Sequence, residues 1–145
     1  MFVVFEGLDK TGKTTLEWEL LKATNFKHMV IDRGPMGYMT FDKIFGRSTK
    51  NGDRDFIHYA RKISESGDYL IVHCVVDTKT AQERLKAHNE TCPYDYDEAR
   101  KLYRTNVRRF YNMKNVLEIN TAIHSIEGCV KLIIEKIQEV QRSEL

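Results

Sequence analysis

The stretch GLDKTGKT, residues 7–14, constrains this chain more than any other part of its sequence. A short apolar run precedes it, and leucines at helical spacing follow it. Glycines in such a stretch let backbone N–H groups turn inward around phosphate oxygens, and the next helix adds its positive end. The ammonium group of Lys13 would reach the phosphates, and the hydroxyl of Thr14 would ligate Mg²⁺. The sequence therefore predicts a loop that binds the phosphates of a nucleoside triphosphate.

The remainder of the chain alternates short apolar strands with amphipathic helices. Strands are predicted at residues 2–5, 28–31, 69–76 and 115–120. Helices are predicted at residues 13–23, 36–45, 54–65, 78–88 and 95–112, and from 126 onward. Residues 46–53 are predicted to be a loop, and Thr78 is predicted to cap the fourth helix. We therefore expect one α/β domain over residues 1–145, a short parallel sheet of about four strands with helices on both faces.

Charged residues follow the predicted strands. Asp32 and Arg33 come directly after the second strand, and Asp77 comes after the third. In parallel sheets, ligands bind beyond the carboxyl ends of the strands. The phosphate-binding loop and these residues are therefore expected to meet at one edge of the sheet.

The composition is that of an ordinary soluble domain. Apolar residues make up 41% and charged residues 30%, and the formal charge of +2 provides no strong field for nucleic acid or a membrane. The apolar runs are far shorter than the roughly 20 residues of a membrane span. The three widely spaced cysteines indicate reduced thiols. We expect no membrane partner and a cytoplasmic location, which for a viral protein is the host cytoplasm.

Three stretches resemble the thymidylate kinases. FEGLDKTGKTT, residues 5–15, is similar to their opening signature, and IDRGPMGYMTFD, residues 31–42, is similar to their strand that ends in Asp-Arg. DYLIVHCVVDTKTAQERL, residues 68–85, resembles their strand followed by a helix that carries Glu-Arg. The resemblance implies a P-loop kinase fold. It also implies transfer of the γ-phosphoryl group of ATP, with Mg²⁺, to a thymidine-type deoxynucleotide.

The resemblance also implies roles at the ATP side of the site. Lys13 and Thr14 would hold ATP and Mg²⁺, and Lys10 would stabilise the γ-phosphoryl group. Arg84 would border a lid formed by residues 87–94. The expected nucleotide-binding residues are Gly7, Asp9, Lys10, Thr11, Gly12, Lys13, Thr14, Thr15 and Arg84.

At the acceptor side, the resemblance implies that Arg33 binds the phosphate of the acceptor and that Asp9 touches its sugar. For Asp32, a role as general base and a role in Mg²⁺ coordination or an ion pair with Arg33 both remain open. The expected catalytic residues are Lys10, Lys13, Asp32 and Arg33. The expected metal ligands are Thr14 and Asp32.

The chain departs from the thymidylate kinases between its first helix and the Asp-Arg strand. Those enzymes usually have a further strand and two helices here that grip the nucleotide base, whereas only residues 24–27 lie here. The acceptor pocket would then be open, or lined by Tyr38, Phe41 and Tyr59, unless these aromatic residues belong to the core. An open site suits a nucleotide within DNA. The chain therefore also resembles a truncated, phage-type branch that phosphorylates 5-hydroxymethyluracil in DNA.

Alternative interpretations remain. A carboxylate directly after the second strand is also similar to polynucleotide kinases, which phosphorylate 5′-hydroxyl ends, and a non-catalytic nucleotide-binding switch is a third hypothesis. Arg100, Arg104 and Arg108 recur at four-residue spacing, a pattern that fits either contact with a DNA strand or a solvated helix face. The sequence leaves open a free deoxynucleotide or DNA as acceptor, and a monomer or a homodimer.

Overall fold

Four parallel strands form the sheet of this α/β protein in the computed structural model, which describes residues 1–143. The strands are β1 (Phe2–Glu6), β2 (Met29–Ile31), β3 (Tyr69–Val75) and β4 (Val116–Asn120), in the spatial order β2-β1-β3-β4. The helices are α1 (Lys13–Ala23), α2 (Pro35–Ile44), α3 (Lys50–Glu65), α4 (Thr78–Ala87), α5 (Tyr96–Phe110) and α6 (Ile126–Ser143). The expected fold class, including the parallel sheet, is confirmed. Within residues 1–143, no helix has both the length and the apolar character needed to cross a membrane.

The two central strands are covered on both faces. Val4 and Ile71 point into a core shared with α2, α3 and α5. Phe5 and Val72 point into a second core, which contains side chains of α1 and α6. Because both faces are buried, β1 and β3 appear in the sequence as continuous apolar runs and not as an alternating pattern.

The start of one helix and the cap of another differ from the sequence-based expectation. The α3 helix begins at Lys50, within the stretch predicted as a loop, because the hydroxyl of Thr49 accepts a hydrogen bond from the Gly52 N–H at 2.9 Å. The α4 helix is capped by Asp77 and not by Thr78: the Asp77 carboxylate accepts from the Thr80 N–H at 2.6 Å. The loop prediction was wrong over residues 50–53 because Thr49 caps a helix that begins there. The cap prediction at Thr78 was wrong because Asp77, one residue earlier, satisfies the first free N–H groups of α4.

A fully buried carboxylate joins the end of β1 to α2 and α5. Glu6 accepts hydrogen bonds from the hydroxyls of Tyr103 at 2.6 Å and Tyr111 at 2.9 Å. It also accepts from the backbone N–H groups of Met36 and Gly37, each at 3.0 Å. Burial raises the pKa of Glu6, and these four donors oppose the rise. The four hydrogen bonds therefore compensate for the hydration that the Glu6 carboxyl group loses on burial.

Glycines allow the start of α2 to approach this carboxyl group. A Cβ atom at Gly34 would lie 2.6 Å from the carboxyl carbon of Glu6, and one at Gly37 would lie 2.7 Å from the Tyr103 hydroxyl oxygen. Gly34 directly follows Arg33. In this chain a side chain at that position would collide with Glu6, so the glycine follows from the packing.

His73 lies beside Glu6 in the centre of the sheet. Only 3% of its surface is exposed, and its ring stacks on that of Tyr103 with the centroids 5.2 Å apart. Burial lowers the pKa of His73 to about 4, although Glu118 opposes the shift. His73 is therefore a buried core residue.

Removing one donor to Glu6 should destabilise the fold. Tyr103→Phe or Tyr111→Phe keeps the ring but leaves the buried carboxylate with three donors, which should lower the free energy of unfolding by about 1–3 kcal/mol. Urea denaturation followed by circular dichroism measures this change. Tyr59→Phe is the matched control, since Tyr59 is 47% exposed, and it should have little effect. Equal stabilities for all four proteins would contradict the role given to Glu6.

Candidate functional site

The predicted phosphate-binding loop contains three residues with positive φ. Gly7 has φ 148°, Lys10 has φ 66° and Gly12 has φ 83°. A Cβ atom at Gly7 would lie 2.5 Å from the carbonyl oxygen of Cys74 on β3, so only glycine fits there. The loop therefore turns tightly between β1 and the first residue of α1.

Lys13 folds back over this loop. Its Nζ atom donates to the carbonyl oxygens of Gly7 at 2.7 Å and Leu8 at 3.2 Å. Burial lowers the pKa of Lys13, and the nearby Asp9 carboxylate opposes that shift. The ammonium group is thus held inside the curve of the loop, where it can exchange the carbonyl oxygens for phosphate oxygens.

The first turn of α1 leaves its donors free. Gly12 occupies the N-cap position and provides no side-chain cap, and the first turn contains no acidic residue. The exposed Thr14 and Thr15 present their hydroxyls there. By contrast, Thr11 is buried, and its hydroxyl donates to the carbonyl oxygen of Leu8 at 2.7 Å. The helix end therefore presents N–H groups to an anion, while Thr11 stabilises the loop.

Asp32 and Arg33 lie at the carboxyl end of β2, next to the loop, and both are exposed. The Arg33 guanidinium carbon is 5.6 Å from the ring centroid of Tyr38 and 5.2 Å from that of Phe41. Phe41 is 8% exposed and belongs to the core, whereas Tyr38 is 48% exposed. Stacking on these rings orients the guanidinium while its N–H groups stay accessible.

Tyr59 does not join this group. It lines a separate, mainly apolar groove of about 560 Å³ together with Phe2, at the start of β1, and residues of α3. Of the three aromatic residues considered for the acceptor pocket, only Tyr38 and Phe41 therefore lie beside Arg33.

Glu17 is a candidate site residue that the sequence interpretation missed. It lies on α1 four residues after Lys13 and is 7% exposed. Its carboxyl group is within hydrogen-bonding reach of that of Asp32, and burial together with Asp32 raises the pKa of Glu17 to about 8. The signal in the sequence was the i, i+4 spacing from Lys13, which places both side chains on one face of the helix.

Arg84 connects the loop to the segment after β4. Its guanidinium donates to the Lys10 carbonyl oxygen at 2.7 Å and to the Thr121 hydroxyl at 3.2 Å. A cavity of about 380 Å³ lies at this junction. Residues of the loop, of α1, of α4 and its C-cap, and of the segment after β4 line it, among them Lys10, Gly12, Thr15, Arg84, His88 and Thr121. This volume is within the range of small-molecule sites. The sequence interpretation did not include Thr121.

The predicted lid contacts the loop through one ion pair. The segment 88–95 between α4 and α5 carries Glu90, whose carboxylate lies 3.0 Å from the Nζ atom of Lys10. Tyr96, at the start of α5, places its hydroxyl 3.5 Å from the carbonyl oxygen of Asp9. Asp9 itself is exposed at the rim of the loop. Lys10 therefore points toward the lid in this structure.

The arginine row on α5 is partly neutralised. Arg104 makes two hydrogen bonds to the carboxylate of Glu118, at 2.9 and 2.8 Å, and Arg100 lies 2.9 Å from Asp97. Arg108 is exposed. Two of the three guanidinium groups thus already have carboxylate partners, which reduces the positive charge that the row presents.

Comparison with known proteins identifies the fold. No protein-family model matches the sequence, and no curated protein matches it either. Among solved structures, the YorR protein of Bacillus subtilis, in complex with phosphorylated GDP, has a TM-score of 0.73 at 17% identity, covering 95% of this chain and 96% of that one. Deoxyadenosine kinase of M. mycoides with bound dCTP has a TM-score of 0.61 at 14% identity, covering 96% and 100%. The chain therefore shares the fold of these proteins.

Breaking the ion pair between the loop and the lid should loosen the lid. Glu90→Gln removes the charge partner of Lys10, and because the pair is partly exposed the effect should be modest, up to about fivefold faster amide hydrogen exchange in residues 88–94. Mass spectrometry of deuterium uptake measures this rate. Glu83→Gln, an exposed position on α4, is the matched control. Unchanged exchange in Glu90→Gln would show that the pair does not hold the lid.

Proposed function

We propose that this chain is a P-loop kinase of thymidylate-kinase type. It transfers the γ-phosphoryl group of ATP to a thymidine-type deoxynucleotide, either free or within DNA, in a reaction that requires Mg²⁺. The observation that carries the proposal is the position of Lys13 in a glycine-bounded loop, with Asp32 and Arg33 at the end of the neighbouring strand. The deoxyadenosine kinase of the same fold was solved with dCTP and with dATP.

The donor side would hold ATP through the loop and α1. The free N–H groups of the first helical turn donate hydrogen bonds to phosphate oxygens, and Lys13 supplies a positive charge that follows the γ-phosphoryl group. Lys10 adds a second positive charge when its ion pair with Glu90 breaks. The cavity beside Arg84 and Thr121 has the size and position for the nucleobase of ATP.

The acceptor side would lie at Asp32 and Arg33. Arg33, held over Tyr38 and Phe41, binds a phosphate of the acceptor, and the exposed Tyr38 ring offers a surface for its base. The connection between α1 and β2 spans only residues 24–28. Because this connection contributes no further element over the acceptor, the site is open enough for a nucleotide that is part of a strand.

In the transfer step, an oxygen of the acceptor forms a bond to the γ-phosphorus as the bond between that phosphorus and the β,γ-bridging oxygen breaks and ADP leaves. A phosphate acceptor has no proton to lose, whereas a hydroxyl acceptor gives its proton to the Asp32 carboxylate. The exposed oxygens of Thr14 and Asp32 are of the kind that Mg²⁺ prefers. When bound, Mg²⁺ would neutralise charge on the phosphates.

Removing the ammonium group of Lys13 should abolish transfer. Lys13→Met keeps the aliphatic stem but loses the charge at the γ-phosphoryl group, so kcat should fall by at least about 100-fold. The measurement uses radiolabelled ATP with dTMP, thymidine, and DNA that bears 5-hydroxymethyluracil or 5′-hydroxyl ends. Lys22→Met on the exposed end of α1 is the control. Transfer by Lys13→Met at the wild-type rate would refute the proposed loop function, and the labelled acceptor identifies the substrate.

Asp32→Asn should separate a hydroxyl acceptor from a phosphate acceptor. The amide keeps the shape of the side chain but cannot take up a proton, and general-base catalysis contributes about 10²–10⁴-fold. A hydroxyl kinase should lose that factor in kcat, and a monophosphate kinase should lose less. A Mg²⁺ titration of kcat provides the check: recovery of the rate at high Mg²⁺ would contradict the role of Asp32 as base.

A further inference from the structure

Glu17 combines burial with an unsatisfied oxygen. The residue is 7% exposed, and its Oε1 atom has no hydrogen-bond partner among residues 1–143. The charge of Lys13 opposes the rise in the pKa of Glu17, but the hydrogen bonds of this ammonium group go to the carbonyl oxygens of Gly7 and Leu8. A buried polar oxygen without a hydrogen-bond partner is costly and calls for a positive ligand or a donor from outside the chain.

A second carboxyl group lies close to that of Glu17. Asp32, from the end of β2, lies within hydrogen-bonding reach of Glu17 on α1, so two carboxyl groups from two elements converge. Thr14 precedes Glu17 by three residues on α1 and is its neighbour on the helix surface. The group therefore consists of oxygen ligands only, which suits a hard divalent cation.

We propose that Glu17 is a third oxygen donor for the divalent cation of the bound nucleotide, sharing the cation with Asp32 and Thr14. This inference rests on the proposed kinase function. It adds a residue that the resemblance to thymidylate kinases did not include. The unpartnered Oε1 atom of Glu17 would then acquire a positive partner.

The site is incomplete without the nucleotide. Within residues 1–143, no group of three or more histidine, cysteine, aspartate or glutamate side chains is arranged to hold a metal ion. Mg²⁺ is commonly bound by one or two carboxylates together with phosphate oxygens of the substrate. The protein alone should therefore bind the cation weakly, and the protein with a triphosphate should bind it tightly.

The test uses Mn²⁺ as a substitute for Mg²⁺. Its binding is measured by electron paramagnetic resonance in the presence of a non-hydrolysable ATP analogue. Glu17→Gln should weaken Mn²⁺ binding to the complex by about 10–100-fold, the cost typical of losing a residue that supports a metal site. Glu19→Gln, on the same helix with its carboxylate paired to Lys22 at 2.8 Å, should bind as wild type does.

Nucleotide affinity is measured separately, without metal, through the fluorescence of Trp18. Trp18 is the single tryptophan of the chain, is 58% exposed and directly follows Glu17. Glu17→Gln should bind the analogue without metal within about twofold of wild type, because the phosphates contact the loop and Lys13. A merely structural role would weaken nucleotide binding and metal binding together. Glu17→Asp, which keeps the charge on a shorter side chain, should show an intermediate Mn²⁺ affinity.

The outcomes separate the two proposals. If wild type with the analogue binds Mn²⁺ no more tightly than the analogue alone does, the kinase proposal itself fails. If wild type binds Mn²⁺ tightly and Glu17→Gln binds it equally well, only the role of Glu17 is overturned. If Glu17→Gln does not fold, Glu17→Asp decides: an affinity equal to that of wild type would overturn the inference, and a reduced one would support it.

Discussion

A carboxylate that is fully withdrawn from water must be matched by donors on every side, and Glu6 meets this requirement with groups from α2 and α5. Glu6 is the last residue of β1, so Gly7 and the phosphate-binding loop follow it directly. The backbone of Met36 and Gly37 bonds to the same carboxylate, and this fixes where α2 begins. The segment between β2 and α2, which carries both candidate acceptor residues, is thereby held at a defined place beside the loop.

Local patterns were sufficient to predict the elements of this fold. The α1 helix spans Lys13–Ala23 as predicted, because leucine spacing and the glycine-rich stretch mark both its face and its start. The start of α3 was not predicted, since Asn51 and Gly52 in its first turn resemble a loop and only the capping contact of Thr49 reveals the helix. The central strands β1 and β3 were predicted to within a residue, because both of their faces are buried and their apolar runs are unbroken.

Contacts between distant parts of the chain could not be predicted in this way. The Glu6–Tyr103 bond joins residues 97 positions apart, and nothing in the local sequence distinguishes Tyr103 from other aromatic residues of the core. The contact of Glu17 with Asp32 depends on the placement of β2 next to β1, which follows from the short connection after α1. The sequence identified the loop and Asp32 from motifs, but side chains that act through the tertiary fold required the structure.

Nucleotide binding to this loop would be an exchange of contacts. Lys13 already donates to backbone carbonyls, and Lys10 is paired with Glu90 of the lid. Phosphate oxygens must replace these partners, so the gain is the difference between the new hydrogen bonds and those that are lost. Arg84 donates to the backbone carbonyl oxygen of Lys10, so this contact of α4 with the loop does not involve the Lys10 side chain. In the proposed kinase, the release of Glu90 and the binding of the triphosphate are therefore reciprocal: whatever stabilises the lid on Lys10 weakens binding of the nucleotide by the same free energy.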